Sequence, residues 1–188
     1  VLATPYGVAN TTLRVSTERG HENCNPAADP AGCVYTLVTP AVKRAAQSHF
    51  ACGALEGAEI ENQPGIELEP GQVWIGSHWE QRIFNGELMS SIQILEPFIS
   101  EVTLAFFQDS GWYVVPDISG KADPASGGRR FWGYQQGCEF AQDTCLKPIE
   151  EFGSLPESQG TPPHFCNKAE EVGCTFDGRS MGSCSMNP

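Results

Sequence analysis

The pattern of apolar positions predicts a first amphipathic helix from Pro40 to about Ala51. Thr39 is a good N-cap, and a proline at the first helical position loses no hydrogen bond because its N–H would be unpaired there. Gly53 is placed to end the helix. The apolar side follows the spacing i, i+3, i+4, i+7 and i+8 and consists of Val42, Ala45, Ala46, His49 and Phe50. We interpret His49, at the edge of this face, as a structural residue.

A second helix is predicted after Ser100, which suits an N-cap and is followed by an acid in the first turn. Gly111 is well placed as the left-handed residue that ends it. One face is formed by Val102, Ala105, Phe106 and Asp109, and Leu104 and Phe107 widen the buried area. We therefore expect Phe106 and Phe107 to lie in the core.

Strand signals are weaker. Residues 1–15 have weak strand character, and Tyr35–Val38 fits a short strand. Residues 55–65 are acidic and turn-like, and they lack the ligand spacing of a calcium loop, so we interpret them as a solvated acidic face. His78 follows a Gly-Ser pair that indicates a turn. The predicted fold class is α+β, mainly irregular, with few helices.

The cysteines change this picture, because the chain has 8 of them and no Cys-x-x-Cys pair. An even number at scattered spacings is typical of disulfides in an oxidising compartment, which predicts an extracellular or cell-surface protein. Asn10-Thr11-Thr12 is a glycosylation sequon and agrees with that. Cys24 and Cys33 flank a Pro/Gly-rich turn, where a local disulfide would staple a surface loop. From Asp117 onwards periodicity nearly vanishes and a cysteine-stapled, loop-rich region is expected.

Charge and hydropathy exclude two classes of function. With 11 Lys and Arg against 23 Asp and Glu, the formal charge is -12, which argues against a nucleic-acid partner. Apolar runs are far too short for a transmembrane segment. The chain starts at Val1 without a leader sequence, so we expect a mature chain or a fragment rather than a complete secretory precursor.

The histidines do not form a metal motif by themselves. They occupy positions 21, 49, 78 and 164, and no two are three or four residues apart. There is also no phosphate-binding Gly-rich loop. Judged from its residues alone, the chain is a secreted, disulfide-containing domain without a self-contained active site, and His78 beside Trp79 is a half-buried structural imidazole.

Several segments in order nevertheless resemble the leishmanolysin family of zinc metallopeptidases, which are metzincins. The resemblance covers roughly residues 34–184. The matching segments are Val38-Thr39-Pro40, His49-Phe50-Ala51-Cys52, Leu55-Glu56-Gly57-Ala58-Glu59-Ile60-Glu61-Asn62-Gln63, Gly76-Ser77-His78-Trp79-Glu80, Glu87-Leu88-Met89, Thr103-Leu104-Ala105, Gln108-Asp109-Ser110-Gly111-Trp112-Tyr113, Gly137-Cys138-Glu139-Phe140, Cys145 and Phe165-Cys166-Asn167.

The resemblance implies a role for His78 and Met89. Metzincins bind zinc with two histidines of a helical His-Glu-x-x-His motif and a third, more distant histidine, and the glutamate is the general base. His78 is similar to that third ligand, and Met89 to the Met-turn residue beneath the metal. The chain contains no His-Glu-x-x-His. The resemblance therefore implies that the chain begins just after the catalytic helix and is inactive alone, within a parent that hydrolyses peptide bonds in proteins.

The resemblance also implies a division of the chain and a set of disulfides. Residues 1–143 correspond to the third-ligand and Met-turn part of the catalytic region, and residues 144–188 to the start of a cysteine-rich C-terminal domain. Cys52 is similar to the partner of Cys138, and Cys166 to the partner of Cys184. Cys145 and Cys174 have family partners beyond Pro188, so they are either free or paired with each other.

Three functions fit these observations. The first is part of a secreted or surface zinc metalloendopeptidase acting on proteins or peptides. The second is a catalytically inactive leishmanolysin-like module with a structural or protein-binding role among extracellular proteins. The third is one chain of a processed heterodimer, in which the partner chain carries the His-Glu-x-x-His segment and completes the zinc site.

Overall fold

The described residues form three helices and two small antiparallel sheets. The predicted α+β class with few helices is thereby confirmed. The fold is seen in a computed structural model that describes residues 12–17, 22–25, 32–62, 75–92, 97–115, 132–142, 170, 172–174 and 181–183. The elements in chain order are β1 Leu13–Thr17, β2 Cys33–Leu37, α1 Pro40–Phe50, β3 Ala58–Asn62, β4 Ile75–Trp79, α2 Glu101–Ser110, α3 Gly137–Gln142, β5 Val172–Cys174 and β6 Met181–Ser183.

The main sheet has the strand order β1-β2-β3-β4, and each neighbouring pair is antiparallel. The prediction that residues 55–65 form a turn-like acidic face was wrong, because Ala58–Asn62 is the strand β3. His78 was likewise expected in a turn and lies in β4. Both errors have one cause: pairing with a distant strand satisfies the backbone of segments whose local composition favours loops.

Helix α1 buries the predicted face, including His49 and Phe50, and has nearly the predicted bounds, but its capping residues differ from the prediction. Thr39 makes no side-chain capping bond; instead Asp109 of α2 accepts the backbone amides of Ala41 and Val42 at 2.7 and 3.0 Å. The last helical residue is Phe50, and the left-handed residue that follows it is Ala51, with φ of 54°, not Gly53.

Helix α2 begins and ends as predicted. The Ser100 side chain accepts the backbone amide of Thr103, and Gly111 is left-handed with φ of 69°. Phe106 packs against the core, whereas Phe107 is only half-buried and lies outside the core cluster, which corrects its predicted position.

The largest core cluster lies where α1, α2 and α3 meet the sheet. Fully buried aromatic and aliphatic side chains form its centre, among them Val42, Phe50, Phe84 and Val102. Helix α3 was not predicted; its C-terminal carbonyls at Phe140 and Ala141 accept hydrogen bonds from the two guanidinium nitrogens of Arg82 at 3.0 and 2.8 Å. The side chain of Arg82 thus ties this short helix to the segment that follows β4.

Two disulfides are present among the described residues. Cys24 pairs with Cys33, and Cys52 at the end of α1 pairs with Cys138 in α3. These are the partners predicted for the four cysteines. Cys145, Cys166, Cys184 and the sequon at Asn10 lie outside the described residues, as does the side chain of Cys174. No helix in the described part of the chain is long and apolar enough to cross a membrane.

Candidate functional site

His78 lies near the end of the edge strand β4, beside the segment that contains Met89. The next residue, Trp79, donates its backbone amide to the Met89 carbonyl at 2.8 Å, and a parallel bridge joins Trp79 to Ser90. His78 and Met89 are eleven residues apart in sequence. The hydrogen bond therefore fixes the strand that carries His78 directly to the Met89 segment.

The two ring nitrogens of His78 have different surroundings. Nδ1 is buried, makes no hydrogen bond to any described residue, and lies 3.4 Å from Oε2 of Glu61. The side chain as a whole is 41% exposed. The exposed part of the side chain therefore lies away from Nδ1, the nitrogen that faces the carboxylate.

Glu61 is a residue of this site that sequence reasoning missed. Its side chain is 17% exposed, and Oε1 accepts a hydrogen bond from the Ser91 hydroxyl at 2.7 Å. The signal was the strict alternation of apolar Ala58 and Ile60 with Glu59 and Glu61, which is typical of a strand. We had interpreted these acids as a solvated face, whereas both are mostly covered.

Next to β4, the Met89 segment is held by a completely buried carboxylate, that of Glu87. One oxygen of Glu87 accepts the backbone amide of Met89, and the other accepts the amide and hydroxyl of Ser100 at 3.0 and 3.1 Å and the hydroxyl of Thr103. Met89 itself is half-buried and packs against the core. A buried charge is tolerated when hydrogen bonds surround it in this way.

Trp79 connects the histidine strand to the same carboxylate. Its indole Nε1 donates to the Thr103 hydroxyl at 2.8 Å, and that hydroxyl in turn donates to Glu87. The chain of bonds from Trp79 through Thr103 and Glu87 to Met89 crosses β4, α2 and the Met89 segment. Rigid support of this kind holds a functional side chain in one orientation.

Two further acids lie in or next to the strands that carry Glu61 and His78. Glu80 accepts the backbone amide of Arg82 at 3.1 Å. Burial raises the pKa of Glu80, the charges of Glu59 and Glu61 raise it further, and the Arg82 amide and guanidinium oppose the rise. Glu59 faces Arg82, with Oε2 at 3.7 Å from Nη2.

His49 is not part of this site. It is 5% exposed, lies among the rings of Phe50, Phe84 and Tyr134, and its Nε2 is 3.0 Å from the Trp132 carbonyl oxygen. Burial lowers the pKa of His49 to about 4, against the smaller opposing effect of that hydrogen bond. The structural interpretation of His49 agrees with this environment.

The residues present fit one ligand position of a zinc site. Zinc is held by imidazole nitrogens whose second nitrogen meets a carboxylate or carbonyl, and His78 beside Glu61 has that arrangement. Within the described ranges no group of three His, Cys, Asp or Glu side chains is placed to hold a metal ion. His21 and His164 lie outside those ranges.

Comparison with known proteins shows the family to which the chain belongs. The family model described as leishmanolysin, a peptidase family, matches residues 19–188. The chain therefore belongs to the leishmanolysin family of metallopeptidases.

Individual relatives agree with that assignment. The chain is 33% identical over 163 residues to a leishmanolysin-like peptidase of Caenorhabditis elegans, a match that covers 82% of the chain and 22% of the relative. It is 33% identical over 155 residues to a leishmanolysin-like peptidase of Drosophila melanogaster, covering 80% and 20%. It is 30% identical over 158 residues to leishmanolysin of Leishmania tropica, also covering 80% and 20%. The chain thus spans about a fifth of the length of these relatives.

Proposed function

We propose that this chain forms part of a leishmanolysin-like zinc metalloendopeptidase, in which His78 is the third zinc ligand and Met89 the Met-turn residue. The observation that carries the proposal is the 2.8 Å hydrogen bond between the Trp79 amide and the Met89 carbonyl. It joins the two segments to which the resemblance assigns the third ligand and the Met-turn. Membership of the family supports the same assignment.

In this function the residues of the chain hold and orient. Neutral His78 would supply one nitrogen lone pair, and Glu87 would keep the Met89 segment in place beneath it through the amide of Met89. Bound zinc lowers the pKa of its water and polarises the scissile carbonyl. The general-base glutamate and the other two histidines would come from a His-Glu-x-x-His segment, in another part of the protein or in another chain. Residues 1–143 would complete that catalytic region, and 144–188 would begin the cysteine-rich domain.

The expected partners follow from this role. The substrate would be a protein or peptide, and the setting would be extracellular or at a cell surface. Disulfides support that setting, because Cys24–Cys33 and Cys52–Cys138 persist in an oxidising environment. Glycosylation at Asn10 and a Cys166–Cys184 disulfide belong to the same proposal, and non-reducing peptide mass mapping tests both.

The test is the zinc content and peptide hydrolysis of the full-length protein that contains this chain. Stoichiometric zinc and hydrolysis that a chelator blocks are the expected result. His78→Ala should remove both, because a site with two imidazoles binds zinc weakly. Ser77→Ala, an exposed neighbour in the same strand, is the matched control and should retain both.

Two outcomes would contradict the proposal. A His78→Ala protein that keeps zinc and activity would exclude His78 as a ligand. A full-length protein that is folded, metal-free after incubation with zinc, and inert would favour instead a non-enzymatic leishmanolysin-like module that binds other extracellular proteins.

A further inference from the structure

The pairing of β3 with β4 is irregular beside His78 and Glu61. Ile60 pairs with Trp79 and Asn62 pairs with Ile75, so two residue steps on β3 are matched by four on β4. The residues of β4 between these two pairs are Gly76, Ser77 and His78. A bulge of this kind changes the direction of a side chain, and bulges are frequent beside active sites.

Glu61 is held from the opposite side. Its Oε1 accepts the Ser91 hydroxyl at 2.7 Å, while Oε2 lies 3.4 Å from Nδ1 of His78. Ser91 follows Met89 by two residues. The segment that contains the Met-turn residue therefore also anchors the carboxylate that faces His78.

A buried Nδ1 needs a hydrogen-bond partner. At 3.4 Å from Oε2 the contact is longer than a well-formed bond, and Nδ1 makes no other bond to the described residues. Of the described groups, the Glu61 carboxylate is the acceptor within reach.

We propose that Glu61 is a positioning residue, which accepts a hydrogen bond from Nδ1–H of His78 and so leaves the lone pair on the other ring nitrogen, Nε2. The hydrogen bond at one ring nitrogen decides which nitrogen is available to a metal. A carboxylate acceptor also increases the basicity of the ligand nitrogen. The proposal rests on the proposed function for its purpose, but the tautomer it assigns is a property of this chain without metal.

The tautomer of His78 is measured by two-dimensional nitrogen–proton NMR of the imidazole rings, at a pH where the ring is neutral. His78→Gln assigns the signals. We expect the Nδ1–H form for His78, whereas an imidazole in water favours Nε2–H. Glu61→Leu should shift His78 to mainly Nε2–H, because Leu keeps the strand and removes the acceptor.

Matched variants separate this hydrogen bond from general charge effects. Glu59→Gln removes a carboxylate charge from the same strand, but that carboxylate faces Arg82, so the Nδ1–H form should persist. Ser91→Ala keeps the carboxylate and removes its anchor, so a mixture of both forms is expected and is measurable even if Glu61→Leu unfolds. Predominant Nε2–H in the unsubstituted chain, or an unchanged tautomer in a folded Glu61→Leu chain, would overturn the proposal.

A second measurement connects the residue to zinc. In the full-length protein Glu61→Leu should weaken zinc binding by about 10- to 100-fold, the usual effect of removing such a partner, and Glu59→Gln should leave it unchanged. An undiminished zinc affinity in Glu61→Leu would exclude the positioning role. If the full-length protein binds no zinc at all, the proposed function fails, while the tautomer result still decides whether Glu61 orients His78.

Discussion

Asp109 caps α1 from outside the helix, by accepting the backbone amide of Ala41 at 2.7 Å. The same oxygen accepts the amide of Val42 at 3.0 Å. Asp109 belongs to the last turn of α2, so one carboxylate satisfies the start of α1 and ties the two helices together. The negative charge at a helix N-terminus adds to the effect of the hydrogen bonds.

Replacing Asp109 should therefore destabilise the chain where replacing Thr39 does not. We expect Asp109→Ala to lower the free energy of unfolding by about 1–2 kcal/mol, the usual cost of losing a cap. Thr39→Val should change it by less than about 0.5 kcal/mol, because the buried Thr39 hydroxyl makes no hydrogen bond among the described residues. Urea unfolding measures both free energies. A larger loss in Thr39→Val than in Asp109→Ala would show that Thr39, and not Asp109, caps the helix.

The contrast between these residues shows how far the sequence determines the fold. Ser100 and Gly111 were identified correctly, because both caps are local properties of the sequence. The Ser100 side chain accepts the amide three residues later, and Gly111 readily takes the left-handed conformation. Thr39 is an equally good cap in sequence. Asp109, 68 residues from Ala41, displaces it, and no local pattern contains that information.

The candidate site also has residues that the sequence identifies and residues that it does not. Resemblance singled out His78 and Met89, and their roles remain proposals. Glu61 was misinterpreted because its surroundings depend on the irregular register of β3 against β4, which is set by tertiary packing and not by either segment. The hydrogen bonds around Glu87 could not be predicted from the sequence either, because Ser100 and Thr103, which donate to its carboxylate, lie at the start of α2.

The buried hydrogen bonds around Glu87 predict a large loss of stability when one of its carboxylate oxygens is replaced by an amide nitrogen. In Glu87→Gln, the side-chain NH₂ group takes the place of a carboxylate oxygen that accepts hydrogen bonds. In either orientation of the amide, this NH₂ group therefore faces at least one N–H or O–H donor of Met89, Ser100 or Thr103. We expect a loss of roughly 2–4 kcal/mol in the free energy of unfolding, because buried donors lose their charged acceptor. Urea unfolding, followed by the fluorescence of the tryptophans, measures it.

Thr103→Ser is the matched control for that experiment. It keeps the hydroxyl that donates to Glu87 and accepts from Trp79, and should cost about 1 kcal/mol through the lost methyl group. Equal losses in Glu87→Gln and Thr103→Ser would show that packing, and not the hydrogen bonds to the carboxylate, dominates at this position.

A pair of glycines tests the close approach between β2 and the segment before β3. A Cβ atom at Gly57 would lie 1.9 Å from the carbonyl oxygen of Leu37, whereas one at Gly53 meets nothing within 4 Å. Gly57→Ala should destabilise the chain by about 2–3 kcal/mol or more, since backbone must move to relieve the overlap. Gly53→Ala should be neutral or slightly stabilising. Thermal unfolding compares the two, and a neutral Gly57→Ala would contradict this packing.

The environment of His49 predicts how stability depends on pH. The pKa of His49 is lowered from 6.5 to about 4 in the folded chain. Above pH 6.5 the ring is neutral in both states, so the full stability is present. As pH falls below that value, the unfolded chain takes up a proton that the folded chain does not bind. Stability should therefore decrease by about 2 kcal/mol between pH 7 and 5, and by roughly 3 kcal/mol at pH 4.

His49→Gln isolates this contribution, because glutamine does not ionise and its amide can still donate to the Trp132 carbonyl oxygen that His49 contacts. The other three histidines and all carboxylates are common to both chains. The difference in free energy of unfolding between the two chains should therefore narrow by about 2 kcal/mol from pH 7 to pH 5. Urea titrations at four or more pH values between these limits measure the difference. A constant difference would mean that the folded chain binds the proton as readily as the unfolded chain, which the 5% exposure of His49 among aromatic rings argues against.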